Sequence, residues 1–151
     1  MATRLCRTRS YRLFTMPLML RLVSAIAVPT RASTRPTRVD YDGDGKTDYA
    51  VFRPSTATWY VWPSQQQSLI TYAFGAVGDI PVSGDWDGDG KTDFAVFRPS
   101  TATWYIWQSQ RQSLITYAFG AVGDIPLSGD WDGDGKTDFA VFRPSTATWY
   151  I

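Results

Sequence analysis

Asp85-Trp86-Asp87-Gly88-Asp89-Gly90-Lys91-Thr92-Asp93 sets three carboxylates at alternate positions and a fourth at position nine, around two glycines. The same phrase stands at Asp40 to Asp48 and again at Asp130 to Asp138, so the spacing is 45 residues each time. Residues 40–84 and 85–129 differ at six positions: Tyr41/Trp86, Tyr49/Phe94, Val61/Ile106, Pro63/Gln108, Gln66/Arg111 and Val82/Leu127. Residues 130–151 repeat 85–106 without change. Self-similarity at a fixed period of this length is the mark of a fold built from stacked repeats.

Within the complete repeat, four short stretches are rich in Val, Ile, Thr, Tyr, Phe and Trp: Ile80 to Ser83, Phe94 to Arg98, Thr103 to Trp107 and Ser113 to Phe119. Such residues suit a pleated, packed strand. Turn formers separate them: Gly88 and Gly90, then Pro99-Ser100, then Gln108 to Arg111, then Gly120 and Gly123. No window carries a helical period. Four strands in a repeat of about 40–50 residues describe one blade of an all-β propeller. Trp104-Tyr105-Ile106-Trp107 is apolar on both strand faces, as a blade packed between two neighbours requires. The recurring aromatics Trp59, Tyr60 and Trp62, then Trp104, Tyr105 and Trp107, are expected to supply that packing.

Four carboxylates within nine residues repel one another unless a cation sits among them. Oxygen donors without nitrogen or sulfur select Ca²⁺ or Mg²⁺, and a flexible shell of six to eight oxygens favours Ca²⁺. The expected ligands in the first loop are the side chains of Asp40, Asp42, Asp44 and Asp48 with the backbone carbonyl of Lys46. The equivalent sets are Asp85, Asp87, Asp89, Lys91 and Asp93, and Asp130, Asp132, Asp134, Lys136 and Asp138, giving up to three ions, one per loop. An EF-hand loop shares the early Asp spacing but ends in a bidentate Glu at position twelve, where this chain has Val51. A metal-free Asp-Gly hairpin turn needs one such pair, not four acids at fixed spacing. The loop lysines read as solvated turn residues.

Charge divides the chain. All 14 acids are Asp, and all lie in residues 40–151 against seven Lys and Arg; residues 1–39 hold eight Arg and no acid. Residues 1–38 start basic, run apolar from Leu13 to Val28 and then present small residues at Ala25 and Ala27, the order of a secretory signal peptide. Arg21 interrupts that run; an organelle transit peptide and a spurious translation start are the alternatives. The run is too short and too interrupted for a transmembrane helix.

There is no His, so no Ser-His-Asp or Cys-His catalysis and no His-ligated zinc site can be built. Cys6 is the single thiol, which leaves no internal disulfide. The remaining carboxylates, Asp79 and Asp124, sit in Gly-Asp turns and read as turn formers. An enzyme is therefore not expected, and an acidic folded region disfavours nucleic acid.

Phe74-Gly75-Ala76-Val77-Gly78-Asp79-Ile80-Pro81 followed by Asp85 to Asp93 resembles the FG-GAP/VCBS repeat of integrin α-subunits, bacterial surface proteins and some propeller lectins. The resemblance covers residues 39–151, divided as 39–78, 79–123 and a truncated third blade at 124–151. It implies a Ca²⁺-holding loop between the first and second strands of each blade. Propellers of that family have about seven blades, so two and a half would be a fragment, or several chains would assemble into one ring. The function implied is an adhesion or ligand-binding scaffold, secreted or at the cell surface, whose partner is a protein or a carbohydrate. The alternatives are a lectin using aromatics such as Trp86 or Trp131, and an accessory domain of a secreted hydrolase.

Overall fold

The computed structural model describes residues 39–66 and 68–151. The leader reading, on residues 1–38, lies outside these residues. Ten strands form three antiparallel sheets, with no helix among the described residues. The first sheet holds β1 (Tyr49–Arg53), β2 (Thr58–Trp62) and β3 (Ile70–Ala73). The second, with four strands, holds β4 (Ile80–Gly84), β5 (Asp93–Arg98), β6 (Thr103–Gln108) and β7 (Ser113–Ala118). The third holds β8 (Ile125–Gly129), β9 (Asp138–Arg143) and β10 (Thr148–Tyr150).

Each sheet is a meander in which sequence neighbours pair. Local turn chemistry fixes the register. Pro99 presets the first corner after Arg98, and Ala102 closes the turn at φ 49°, so that Phe97 faces Trp104 and Arg98 faces Thr103. The same turn recurs with Ala57 and Ala147. Alternation then places Trp104 and Ile106 on one face of β6, both fully buried.

The middle sheet is covered on both faces. Ala95, Val96 and Phe97 are consecutive in β5 and all buried, which an open sheet with one wet face does not permit. In β1 only one face is covered, and Tyr49 and Val51 are exposed. The innermost strands of successive sheets lie side by side: Ser128 Oγ on β8 donates to the Ser83 carbonyl on β4 at 2.7 Å.

Phe94 and Phe139 lock the sheets together. Phe94 inserts into the preceding repeat among Tyr41, Trp59 and Tyr72, with ring centroids at 4.7, 5.6 and 4.8 Å. Phe139 does the same among Trp86, Trp104 and Tyr117, at 6.2, 5.2 and 4.8 Å. Aromatic pairs at such separations add roughly 0.5–1.5 kcal/mol each beyond the area they bury. The packing role expected of Trp59 and Trp104 is thus observed, whereas Trp62 is about half exposed.

Candidate metal centre

Each acidic loop precedes the second strand of its repeat and folds around its first Asp. Asp40 Oδ1 accepts from the Gly43 N–H at 2.7 Å and Oδ2 from the Gly45 N–H at 2.8 Å. Both glycines hold positive φ, 81° and 85°, a region that side chains with a Cβ rarely enter. Asp85 repeats the arrangement with Gly88 and Gly90 at 2.7 and 2.8 Å, and Asp130 with Gly133 and Gly135 at 2.7 and 3.0 Å.

This curl brings carboxylates one, three and nine of each loop together. One oxygen each from Asp40, Asp42 and Asp48 lies within 4.8 Å of the others, and so do oxygens of Asp85, Asp87 and Asp93, and of Asp130, Asp132 and Asp138. Two oxygens on opposite sides of a calcium ion, each at about 2.4 Å, would be about 4.8 Å apart, so three oxygens this close could share one ion.

Asp44 stands differently. Its Oδ1 accepts from the Lys46 N–H at 2.8 Å, and its Oδ2 accepts from the Ser64 hydroxyl at 2.6 Å and the Lys46 ammonium at 3.3 Å. Asp89 is held the same way by the Lys91 N–H and the Ser109 hydroxyl, at 2.8 and 2.9 Å. Of the four side chains expected as ligands, the fold therefore gathers three, and the fifth residue of each loop braces the loop. Lys46, Lys91 and Lys136 each donate a backbone N–H to that brace at 2.8 Å.

A second layer comes from the turn after the third strand of the first two repeats. The Ser64 N–H donates to Asp48 Oδ1 at 2.7 Å and the Gln65 N–H to Asp42 Oδ2 at 3.2 Å. In the next repeat Ser109 donates to Asp93 at 2.7 Å and Gln110 to Asp87 at 3.1 Å. These donors orient the triads while each carboxylate oxygen retains a lone pair. Only the serine spacing, 16 residues from the last Asp of each loop, was available in sequence to suggest them.

Burial and like charge act on the second triad. Burial, opposed by the Ser109 and Trp86 N–H groups and reinforced by Asp87, pushes the Asp93 carboxyl up to about 6. Burial also raises Asp85, with Asp89 and Asp87 adding to it. In this second triad, a hard oxygen-only donor set with two carboxyls disfavoured as anions fits a divalent cation.

Asp79 and Asp124 do more than form turns. Asp79 Oδ2 accepts from the Ala76 N–H at 2.8 Å, as a turn former would, but the carboxylate also takes Arg98 in a fork at 2.9 and 3.0 Å. Asp124 and Arg143 repeat the fork at 2.9 Å for both bonds. Arg98 lies over the Tyr105 ring at 4.3 Å, so the pair ties the lead-in turn to two strands of its blade. The loop lysines also reach further than solvent: a Cβ at Gly43 would lie 2.8 Å from Lys91 Cε, and one at Gly88 would lie 3.1 Å from Lys136 Cγ. Each stem covers the loop of the preceding repeat.

Three stacked antiparallel meanders, the middle one of four strands, with an acidic loop leading into the second strand of each repeat, define a propeller-type repeat module. Comparison with protein families matches the FG-GAP-like repeat over residues 40–96 and 85–141. The chain belongs to the FG-GAP-like repeat family. Comparisons with curated proteins and with solved structures return no match. No helix among the described residues is long and apolar enough to cross a membrane.

Proposed function

We propose that this chain is a calcium-stabilised scaffold for adhesion or ligand binding outside the cell, and not an enzyme. The observation that carries the reading is the triad of converging carboxylates, built three times around a first Asp that accepts the same two glycine N–H groups. Asp40, Asp42 and Asp48, with their counterparts in the other loops, would hold the ions, and the Lys46, Lys91 and Lys136 carbonyls would complete the protein donors. The metal would supply charge neutralisation, turning a repulsive loop into a fixed strand connection, and its binding energy would add to folding energy. Extracellular calcium suffices for loops of modest affinity. The partner would be a protein or a carbohydrate.

Thermal unfolding of the full chain by near-ultraviolet circular dichroism, with calcium and then with chelator, tests the metal. A cooperative transition raised by calcium supports the reading; an identical transition in both buffers defeats it.

A lectin is the second reading, favoured by one observation. Trp131 is 44% exposed and lines a cleft with Tyr117, Asp132, Asp138 and Phe139, an aromatic face beside polar groups. Trp86, the other candidate, is buried between sheets at 7% exposure and offers no free face. Silence of the chain on a broad glycan array would remove this reading.

A further inference from the structure

The contact between successive repeats is polar as well as aromatic. Phe94 and Phe139 are knobs seated in sockets of the preceding repeat, and two residues before each knob stands a buried threonine, Thr92 and Thr137. The Thr92 N–H donates to the Asp40 carbonyl at 2.7 Å, and its hydroxyl oxygen accepts from the Asp40 N–H at 2.7 Å. Thr137 holds Asp85 by the same two bonds, each 2.7 Å.

These bonds fall at the acidic loops. Asp40 and Asp85 are the first carboxylates of their triads, and Asp93 and Asp138, which follow the threonines, are the last carboxylates of the next. The expected carbonyl ligand is equally close. The Lys91 carbonyl and the Thr92 N–H belong to one peptide unit, as do the Lys136 carbonyl and the Thr137 N–H. A trans peptide is planar and turns its two polar groups to opposite sides. With its N–H given to the preceding loop, each unit turns its carbonyl away from that loop. The lysine stems cross the same gap, since a Cβ at Gly43 would lie 2.8 Å from Lys91 Cε and one at Gly88 would lie 3.1 Å from Lys136 Cγ.

We propose, resting on the calcium reading, that the three loops bind calcium with positive cooperativity, each passing its order to the next through one threonine peptide. Filling the second loop fixes Asp93 and the Lys91 carbonyl, and with them the Thr92 groups that hold the Asp40 backbone. Asp40 in turn accepts the Gly43 and Gly45 N–H groups around which the first loop curls. Part of the ordering of the first loop is then complete before its own ion arrives. Coordination of the Lys91 carbonyl also polarises the peptide and strengthens its N–H bond to Asp40. The coupling is reciprocal, so filling the first loop favours the second by the same factor. Thr137 joins the second and third loops likewise, which leaves the middle loop bonded to both of the others.

Calcium titration of the full chain by isothermal titration calorimetry, with near-ultraviolet circular dichroism of the saturated protein to verify the fold, reads the coupling. The wild type should bind with a Hill coefficient above unity, each filled neighbour tightening the next loop roughly 5-fold or more. Thr92→Val with Thr137→Val removes both hydroxyl acceptors and no expected ligand, and should lower the coefficient; Thr92→Ser with Thr137→Ser should keep it. Asp87→Asn with Asp93→Asn disables the middle centre, and the outer loops should then bind more weakly and independently. If the valine pair fails to fold in calcium, the middle-centre variant decides. A wild type that binds no calcium would remove the metal reading and the proposal with it. Calcium bound at independent sites would overturn the proposal and leave the metal reading standing. Cooperativity that survives undiminished in the valine pair, or between the outer loops alone, would also overturn it, because it would then come from folding as a whole.

Discussion

Thr92 holds Asp40 by both of its backbone polar groups: the Thr92 N–H donates to the Asp40 carbonyl at 2.7 Å, and the Thr92 hydroxyl oxygen accepts from the Asp40 N–H at 2.7 Å. Asp40 is the first carboxylate of one loop, and Thr92 directly precedes the last carboxylate of the next. Two candidate metal centres are thereby joined through three backbone units. Thr137 joins Asp85 likewise, and Gly84 makes room for it, since a Cβ there would lie 2.6 Å from Thr137 Cγ2.

Thr92→Val keeps the shape and the backbone bond but leaves the buried Asp40 N–H without its acceptor. The expected loss is about 1–3 kcal/mol of stability. Urea unfolding in calcium measures it, and Thr92→Ser should recover most of it.

Asp93→Asn removes one charge from the second triad at nearly constant volume. Calcium bound per chain, read by isothermal titration calorimetry, should fall by one, while the melting temperature in calcium drops. In metal-free buffer the sign should reverse, because the substitution deletes a carboxylate that burial already disfavours as an anion.

The raised Asp93 carboxyl gives the metal-free protein a characteristic pH response. Its folded value, about 6, lies above the ordinary 3.8, so the folded state binds the proton more tightly than the unfolded chain. Stability is then fully present below about pH 4 from this group and is lost as pH rises through about 6. Asp124, lowered by its Arg143 hydrogen bonds, acts oppositely and loses its contribution only in stronger acid. Calcium-stripped protein should therefore melt higher at pH 5 than at pH 7. Calcium, which competes with the proton, should remove or invert that difference.

The Asp79–Arg98 fork buries its carboxylate almost completely, while the guanidinium keeps partial exposure. Asp79→Ala strips the arginine of its partner and the Ala76 N–H of its acceptor. An expected cost of about 2 kcal/mol allows for solvent around Arg98. A double-mutant cycle with Arg98→Met separates the ion pair from the turn contact.

Strand positions were legible because every strand is bounded by residues with strong local preferences. Ile80 to Ser83 becomes Ile80–Gly84, and Thr103 to Trp107 becomes Thr103–Gln108, each longer by a single residue. The acidic loops were legible as clusters, because alternation and glycine are local properties. What stayed hidden needed the third dimension. The turning of Asp44 toward Ser64 depends on a serine 20 residues away, and the Thr92 clasp spans 52. The Asp79–Arg98 fork left a trace, the constant separation of 19 residues shared with Asp124 and Arg143, but separation alone does not distinguish a partner from a bystander.

The aromatic knobs have one more consequence. Phe94 and Phe139 sit in the same local sequence and enter sockets that differ chiefly by Tyr41 against Trp86, so the rings carry almost no address. Blade order is kept by covalent connectivity alone, and two unfolded copies brought together can exchange blades without loss of contact quality. Fidelity of assembly in such a chain is a matter of dilution and timing during folding, not of recognition.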